Sequence, residues 1–135
     1  NILPVMVNPI ARPDFRVPPI SCLPNANVSF TNLSAIPLNT QSSLSFFWDF
    51  GDPASGGVNN STGTNPSHTY VSTGPFNVKL QATSAEGCVH DTTIVVNSIH
   101  PQPLGAITAD KVDVCIGGSF SFNSASNPAD GTTTQ

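Results

Sequence analysis

The chain has 135 residues, enough for one domain or for one domain with parts of its neighbours. Only 9% of the residues are charged, four are basic and the formal net charge is −4. This composition excludes a nucleic-acid footprint, and the absence of a long apolar stretch excludes direct membrane insertion. Frequent Ser, Thr, Asn and Pro predict an all-β extracellular protein. Because the chain begins without Met and without a leader, we expect it to be part of a longer protein.

Alternating apolar and polar residues predict six short strands joined by turns and one polar, Gly-rich loop. In chain order they are residues 13–17, 27–31, 45–50, 67–70, 76–83 and 89–96, with the loop at 51–65. The alternation is strongest in the fifth strand, which predicts one buried face. The last two strands flank a turn that ends at Gly87, so they should form a hairpin. Six strands of this length predict a two-sheet sandwich.

The apolar residues of these strands define the expected core. It should contain Phe30, Trp48, Tyr70, Val78, Leu80 and one of Phe46 and Phe47. Trp48 could instead stack on a sugar at the surface, but a central aromatic strand needs a filled interior, so burial is favoured.

An internal repeat of about 90 residues predicts the domain organisation. Asn8 and Asn97 occupy corresponding positions, as do Cys22 and Cys115. The segment VSFTN after Cys22 also corresponds to FSFN after Cys115. We therefore expect residues 1–9 to be the last strand of a preceding repeat and 10–98 a complete repeat. Residues 99–103 would be a linker and 104–135 the start of a following repeat.

Three ordered motifs resemble the polycystic kidney disease (PKD) domain, whose pattern is WDFGDG, then NPxHxY, then GxYxVxL. They are FWDFGD at 47–52, NPSHTY at 65–70 and GPFNVKL at 74–80. Pro53 departs from the pattern where its second glycine usually stands, and Phe76 replaces the usual tyrosine. The residues carried over as the structural motif are Trp48, Asp49, Gly51, Asp52, Asn65, Pro66, His68, Tyr70 and Gly74.

The resemblance implies an immunoglobulin-like β-sandwich that serves as a non-catalytic spacer or binding module. Cys22 and Cys88 are similar to cysteines in PKD repeats of surface proteins and adhesins of gliding bacteria, often exported by the type IX system. The implied location is the cell surface, and the implied partners are neighbouring repeats, other surface proteins or glycans. A carbohydrate-binding accessory domain of a secreted hydrolase is the alternative, and it requires aromatic side chains exposed on one face.

Two candidate sites remain beside this interpretation. Asp49 and Asp52 could act as an acid–base pair, but no partner base or nucleophile is marked, so a role in capping turns is favoured. They could also bind calcium together with carbonyl groups near Asn59 and Asn60, although the spacing is not that of an EF-hand. No other cofactor is expected. The repeat pairs Cys22 with Cys88 in a predicted disulfide and leaves the partner of Cys115 outside this sequence.

Overall fold

The computed structural model describes residues 3–4, 8–19, 21–37, 43–110, 113 and 115–127. Within these residues the chain consists mostly of strands and turns, and Pro53–Val58 contains two short 3-10 turns separated by a kink at Gly56. None of the described helical residues forms a segment that could cross a bilayer. The strands are β1 (Phe15–Arg16), β2 (Ser21–Cys22), β3 (Ala26–Ser29), β4 (Thr31–Asn32), β5 (Ser45–Asp49), β6 (Asn60–Ser61), β7 (Ser67–Tyr70), β8 (Phe76–Thr83), β9 (Val89–Val96), β10 (Ile99–His100), β11 (Leu104–Ala109) and β12 (Phe122–Asn127).

A four-stranded antiparallel sheet forms one layer, in the order β6-β5-β8-β9. Its centre is β8, whose alternate residues from Phe76 to Ala82 are buried, as the period-two pattern predicts. β8 and β9 pair from Phe76 opposite Val96 to Thr83 opposite Val89, which confirms the predicted hairpin. Gly87, in the turn, has a φ of 83°, which glycine adopts at little cost.

The opposite layer is built around one strand that changes partner at Phe30. Before it, β3 pairs with β7, and after it, β4 pairs with β1. The amide of Phe30 donates to the carbonyl of Pro66 at 2.9 Å, which continues the pairing beyond β7. An isolated bridge between Arg12 and Ala35 extends the other pairing.

Aromatic rings from both layers fill the space between them. The rings of Phe15 and Phe30 lie 5.0 and 5.6 Å from that of Trp48, and Phe30 stacks on Phe50 at 5.4 Å. The predicted core is confirmed, and the ambiguous pair resolves with Phe46 buried and Phe47 on the outer face. The chain therefore folds as an immunoglobulin-like β-sandwich.

The core extends from Ala11, which is fully buried, to Ile99, which is 2% exposed. Ile99 belongs to β10, which pairs in parallel with β2. Ile99 and His100 were expected to lie in a linker at 99–103, but they pair with β2, and the last buried side chain of the sandwich comes after the final strand of the hairpin. The strand expected within residues 1–9 lies mostly outside the described residues.

Beyond the sandwich, β11 and β12 form an antiparallel pair from Leu104 opposite Asn127 to Ala109 opposite Phe122. Every residue of β11 is exposed. Phe122 is 65% exposed, and its ring meets that of Phe120 edge to face at 5.3 Å. The apolar side chains of this pair thus remain outside the core of the sandwich.

The predicted disulfide between Cys22 and Cys88 is wrong for this structure, in which both cysteines and Cys115 are free thiols. Cys22 lies opposite His100 in the pair of β2 and β10. His100 lines an open groove together with Gly74, which precedes β8, so Cys22 lies near the start of β8. Cys88 follows the far end of β8 and precedes β9. The eight residues of β9 span roughly 24 Å at about 3.4 Å per residue. The two thiols therefore lie at opposite ends of the sandwich. A disulfide needs Cα atoms within about 7 Å, so the two cysteines cannot be bridged in this fold.

Candidate functional site

The motif residues meet where β5 ends, at the interface of the two layers. Trp48 is fully buried, and its indole Nε1 donates to the carbonyl of Gly63 at 2.9 Å. This bond satisfies the polar atom of the ring and attaches the loop between β6 and β7 to the core. Trp48 is therefore a core anchor rather than a surface for stacking sugars.

Asp49 organises the turn that leaves β5. Its Oδ1 accepts a hydrogen bond from the amide of Gly51 at 2.9 Å and another from Nδ2 of Asn59 at 3.0 Å. Oδ1 of Asn59 in turn accepts from the amide of Asp52 at 2.7 Å. One carboxylate and one carboxamide thus hold the start and the end of the loop together, as short polar side chains commonly do in turns.

Gly51 is required by geometry on two counts. Its φ of 68° lies in the left-handed region, which side-chain-bearing residues rarely adopt. A Cβ built at this position would also lie 2.5 Å from the backbone oxygen of Asn77 on β8. The turn therefore passes close against the neighbouring strand.

Asp52 and His68 form a buried pair that joins the two layers. His68 Nε2 lies 3.1 Å from Asp52 Oδ2, and the two side chains are 3% and 6% exposed. The imidazole stacks on Phe50 with ring centroids 4.6 Å apart and meets Tyr70 edge to face at the same distance. His68 is on β7 and Asp52 follows β5, so the contact connects opposite sheets.

Tyr70 makes a second connection between the layers. It is fully buried, and its hydroxyl donates to the carbonyl of Phe50 at 2.9 Å. Burial, and next the carboxylates of Asp52 and Asp49, raise the pKa of the Tyr70 hydroxyl well above its usual range, so the group remains a donor. This bond differs from the tyrosine corner of many sandwich domains, in which the hydroxyl binds backbone a few residues upstream, because it reaches the residue that follows β5 in the opposite layer.

The other motif residues fix loops. Oδ1 of Asn65 accepts from the amide of Asn32 at 2.8 Å, and Pro66 offers its carbonyl to Phe30. Gly74 has a φ of 83° and lies against the ring of Phe76. The residues of all three motifs therefore hold the loops and layers of the sandwich in place.

The comparisons with known proteins agree with this arrangement. The family model for the PKD domain matches residues 15–97, which is more than half of the chain. The chain belongs to the PKD domain family. Such domains are typically extracellular and generally non-catalytic modules.

Two solved structures share the fold of this PKD domain. The PKD1 domain of Epp from Vibrio anguillarum has 24% identity and a TM-score of 0.57, over 69% of this chain and 98% of that one. A carbohydrate-binding module of the β-sandwich superfamily, described as promiscuous in specificity, has 19% identity and a TM-score of 0.57. That match covers 87% of this chain and 54% of the other. No curated protein matches the chain.

The two aspartates of the PKD motif are committed to contacts within the protein. Asp49 Oδ1 accepts two hydrogen bonds, and Asp52 Oδ2 faces His68. The described residues hold no group of three or more His, Cys, Asp or Glu side chains arranged for a metal. Calcium binding by Asp49 and Asp52 stays a prediction.

The side-chain bridge of Asn59 is the part of this cluster that the sequence did not reveal. Asn59 lies in a loop with several Asn and Gly residues, where any of them could have turned inward. One feature indicates the contact: Asn59 precedes β6, which pairs with the end of β5 and so returns the loop to Asp49. The contact depends on the loop path, which motif spacing does not specify.

The outer face of the four-stranded sheet carries one large aromatic side chain. Phe47 is 46% exposed on β5 and lies opposite Gln81 on β8. On the same face, Lys79 Nζ lies 3.4 Å from Asp91 Oδ2, and both side chains are about half exposed. This face therefore presents an aromatic ring beside hydrogen-bonding groups, whereas Trp48 and Tyr70 point inward.

Proposed function

We propose that this PKD domain is a spacing and adhesion module of a tandem-repeat surface stalk, of the kind found in adhesins of gliding bacteria that use type IX secretion. It is an extracellular β-sandwich module by family. The observation that carries the proposal is the burial of motif residues between the two layers. The buried residues that make contacts between the layers are Trp48, Asp52, His68 and Tyr70. Such contacts stabilise the sandwich, and these four side chains are all buried rather than exposed to solvent.

The organisation in an array is part of this proposal. Its support is the repeat of about 90 residues, together with a sandwich core that begins at Ala11 and ends at Ile99. A chain that contributes one complete sandwich and adjoining strands is what an array of such modules requires. The neighbouring repeats would then be its principal partners.

An exchange experiment tests the spacing role. Residues 11–100 of the full surface protein are replaced by an unrelated β-sandwich of similar length, and surface exposure and adhesion of intact cells are measured. A spacer predicts that both survive the exchange. Loss of adhesion with normal surface exposure would contradict a purely spacing role and would assign the adhesive contact to this domain. Absence of the unmodified protein from the cell surface would contradict the proposed location.

Phe47 favours a second candidate function, binding of glycans as an accessory domain of a secreted hydrolase. An exposed ring flanked by an amide and a charged pair can stack on a sugar and hydrogen-bond its hydroxyl groups. A glycan array with the 135-residue chain tests this candidate, with Phe47→Ala as the variant and Val71→Ala as an exposed apolar control. Binding that Phe47→Ala abolishes and Val71→Ala retains would support it, and no binding by the unmodified chain would reject it.

A further inference from the structure

The exposed pair β11–β12 has the same strand register as part of the sandwich. Phe15 lies opposite Asn32 in the first layer, and Ile107 lies opposite Ser124 in the pair. Each residue of the second couple follows its counterpart by 92 positions. Two further couples repeat the displacement: Arg16–Thr31 with Thr108–Asn123, and Arg12–Ala35 with Leu104–Asn127.

The sequence gives the same displacement independently. The segment FSFN at 120–123 corresponds to VSFT at 28–31, again 92 positions earlier. In an antiparallel pair, the strand pairing alone fixes only the sum of the displacements of the first and the second strand, and not each displacement separately. The sequence fixes the displacement of the second strand, and the pairing then gives the same value for the first. A shift of one residue would instead place every side chain on the other face.

The register identifies one face of the pair as a core face. In the sandwich, the corresponding side chains of Phe15, Val28 and Phe30 are 3%, 1% and 1% exposed. In the pair, the side chains of Ile107, Phe120 and Phe122 are 75%, 49% and 65% exposed. We call the face that carries these three residues the open face. Leu104, on the opposite face, corresponds to Arg12, which is exposed in the sandwich.

The sandwich also indicates what covers such a face. Phe15 and Phe30 lie against Trp48, which β5 contributes from the centre of the four-stranded sheet. Leu80 and Val78 of β8 are fully buried in the same core. The open face has the geometry to receive a sheet of that kind, with a large aromatic side chain from its central strand.

We propose that residues 104–127 are the counterpart of residues 12–35 in a second PKD sandwich, whose open face is completed by a four-stranded sheet from the chain that follows β12. This inference rests on the array organisation proposed above and specifies its register. It assigns Ile107 and Phe122 to a core and Leu104 to a solvent-facing position.

A hybrid domain tests the register. Residues 12–35 of the chain are replaced by a copy of residues 104–127, which has the same length, so that β5 and β8 must cover the copied open face. Trp48 fluorescence is followed during denaturation. The proposal expects one cooperative unfolding transition with a buried Trp48 in the folded state.

Two controls make the result specific. In the first, residues 103–126 replace 12–35, which shifts the register by one residue and exchanges the faces; this hybrid should show no cooperative transition. In the second, Ile107→Asp within the copied segment should abolish the transition, whereas Leu104→Asp should preserve it. A shifted hybrid at least as stable as the first, or failure of both hybrids to unfold cooperatively, would overturn the proposal.

The unmodified chain supplies one further outcome. Sedimentation that finds dimers sensitive to Ile107→Asp but not to Leu104→Asp would assign the open face to a second copy and would also overturn the proposal. A monomer agrees with it. Neither result bears on adhesion after exchange of residues 11–100, so this inference and the proposed spacing role can fail separately.

Discussion

Phe30 and Phe122 occupy the same register position in two paired-strand regions, yet one is 1% and the other 65% exposed. In the sandwich, the four-stranded sheet covers the apolar face, and rings from both layers interlock around Trp48. In the β11–β12 pair, the same alternation is present without such a cover. A strand pair therefore acquires a core face through its sequence pattern, but it gains the free energy of burial only from a second sheet. Four predictions test this comparison.

Truncation at the centre of the sandwich should have the largest effect. We expect Trp48→Ala to lower the free energy of unfolding by about 3–5 kcal/mol, through lost burial and the cavity left behind. Phe47→Ala, next in sequence but on the outer face, should cost about 0.5 kcal/mol. Denaturant unfolding followed by circular dichroism measures both. Similar losses for the two variants would contradict the assignment of faces along β5.

A methyl group at the turn after β5 should have the next largest effect. Gly51→Ala should cost about 2–3 kcal/mol, because the left-handed backbone is strained and the Cβ meets the backbone of Asn77 at 2.5 Å. Gly87→Ala is the matched control, since Gly87 has a φ of 83° but no atom within 4 Å of its Cβ position. It should cost about 1 kcal/mol, the backbone term alone. Equal thermal stabilities of the two variants would show that the close contact with β8 is unimportant.

Removal of the Tyr70 hydroxyl should have a moderate effect that depends on pH. Near neutral pH, Tyr70→Phe should cost about 1 kcal/mol for the bond to the Phe50 carbonyl. The pKa of Tyr70 is raised in the folded state, so the folded domain keeps a proton that the unfolded chain releases above about pH 10. The stability of the unmodified domain should therefore fall as the pH rises through about 10, and Tyr70→Phe should lose this component.

The chain contains one tyrosine, so tyrosinate absorbance reports Tyr70 alone. It should appear only as the domain unfolds in alkali. Ionisation near the ordinary tyrosine pKa in a domain that is still folded would contradict the burial of the hydroxyl.

The smallest effect is expected in the uncovered pair. Phe122→Ala should change the stability of the sandwich by less than about 0.5 kcal/mol, because the side chain is exposed. Its register counterpart, Phe30→Ala, should cost about 3–5 kcal/mol. Thermal unfolding of the two variants compares the regions directly. A large loss from Phe122→Ala would mean that the pair contributes to the stability of the sandwich.

Alternation along β8 and β9 was sufficient to predict their hairpin and the buried residues Val78 and Leu80, because side-chain direction repeats every two residues. Alternation could not show which of Phe46 and Phe47 is buried, since both are apolar. The pairing of β5 with β8 determines that Phe46 faces the core.

The repeat assigned Cys22 and Cys88 to the same domain, but it did not show at which end of the sandwich Cys22 lies. That depends on the pairing of β2 with β10, a contact between residues far apart in the chain. The Asn59 bridge and the burial of Ile99 escaped prediction for the same reason. Both depend on how a loop or a terminal segment returns to the body of the domain.

The parallel pairing of β2 with β10 has a mechanical consequence. Its backbone bonds include those from the amide of Ser21 to Ser98 at 3.1 Å and from the amide of Leu23 to His100 at 3.0 Å. Tension that reaches β2 from the N-terminal side and β10 from the C-terminal side pulls parallel strands in opposite directions along their common axis. The bonds between the two strands then bear the load in shear and at the same time, whereas a hairpin pulled at its open end would separate one bond after another.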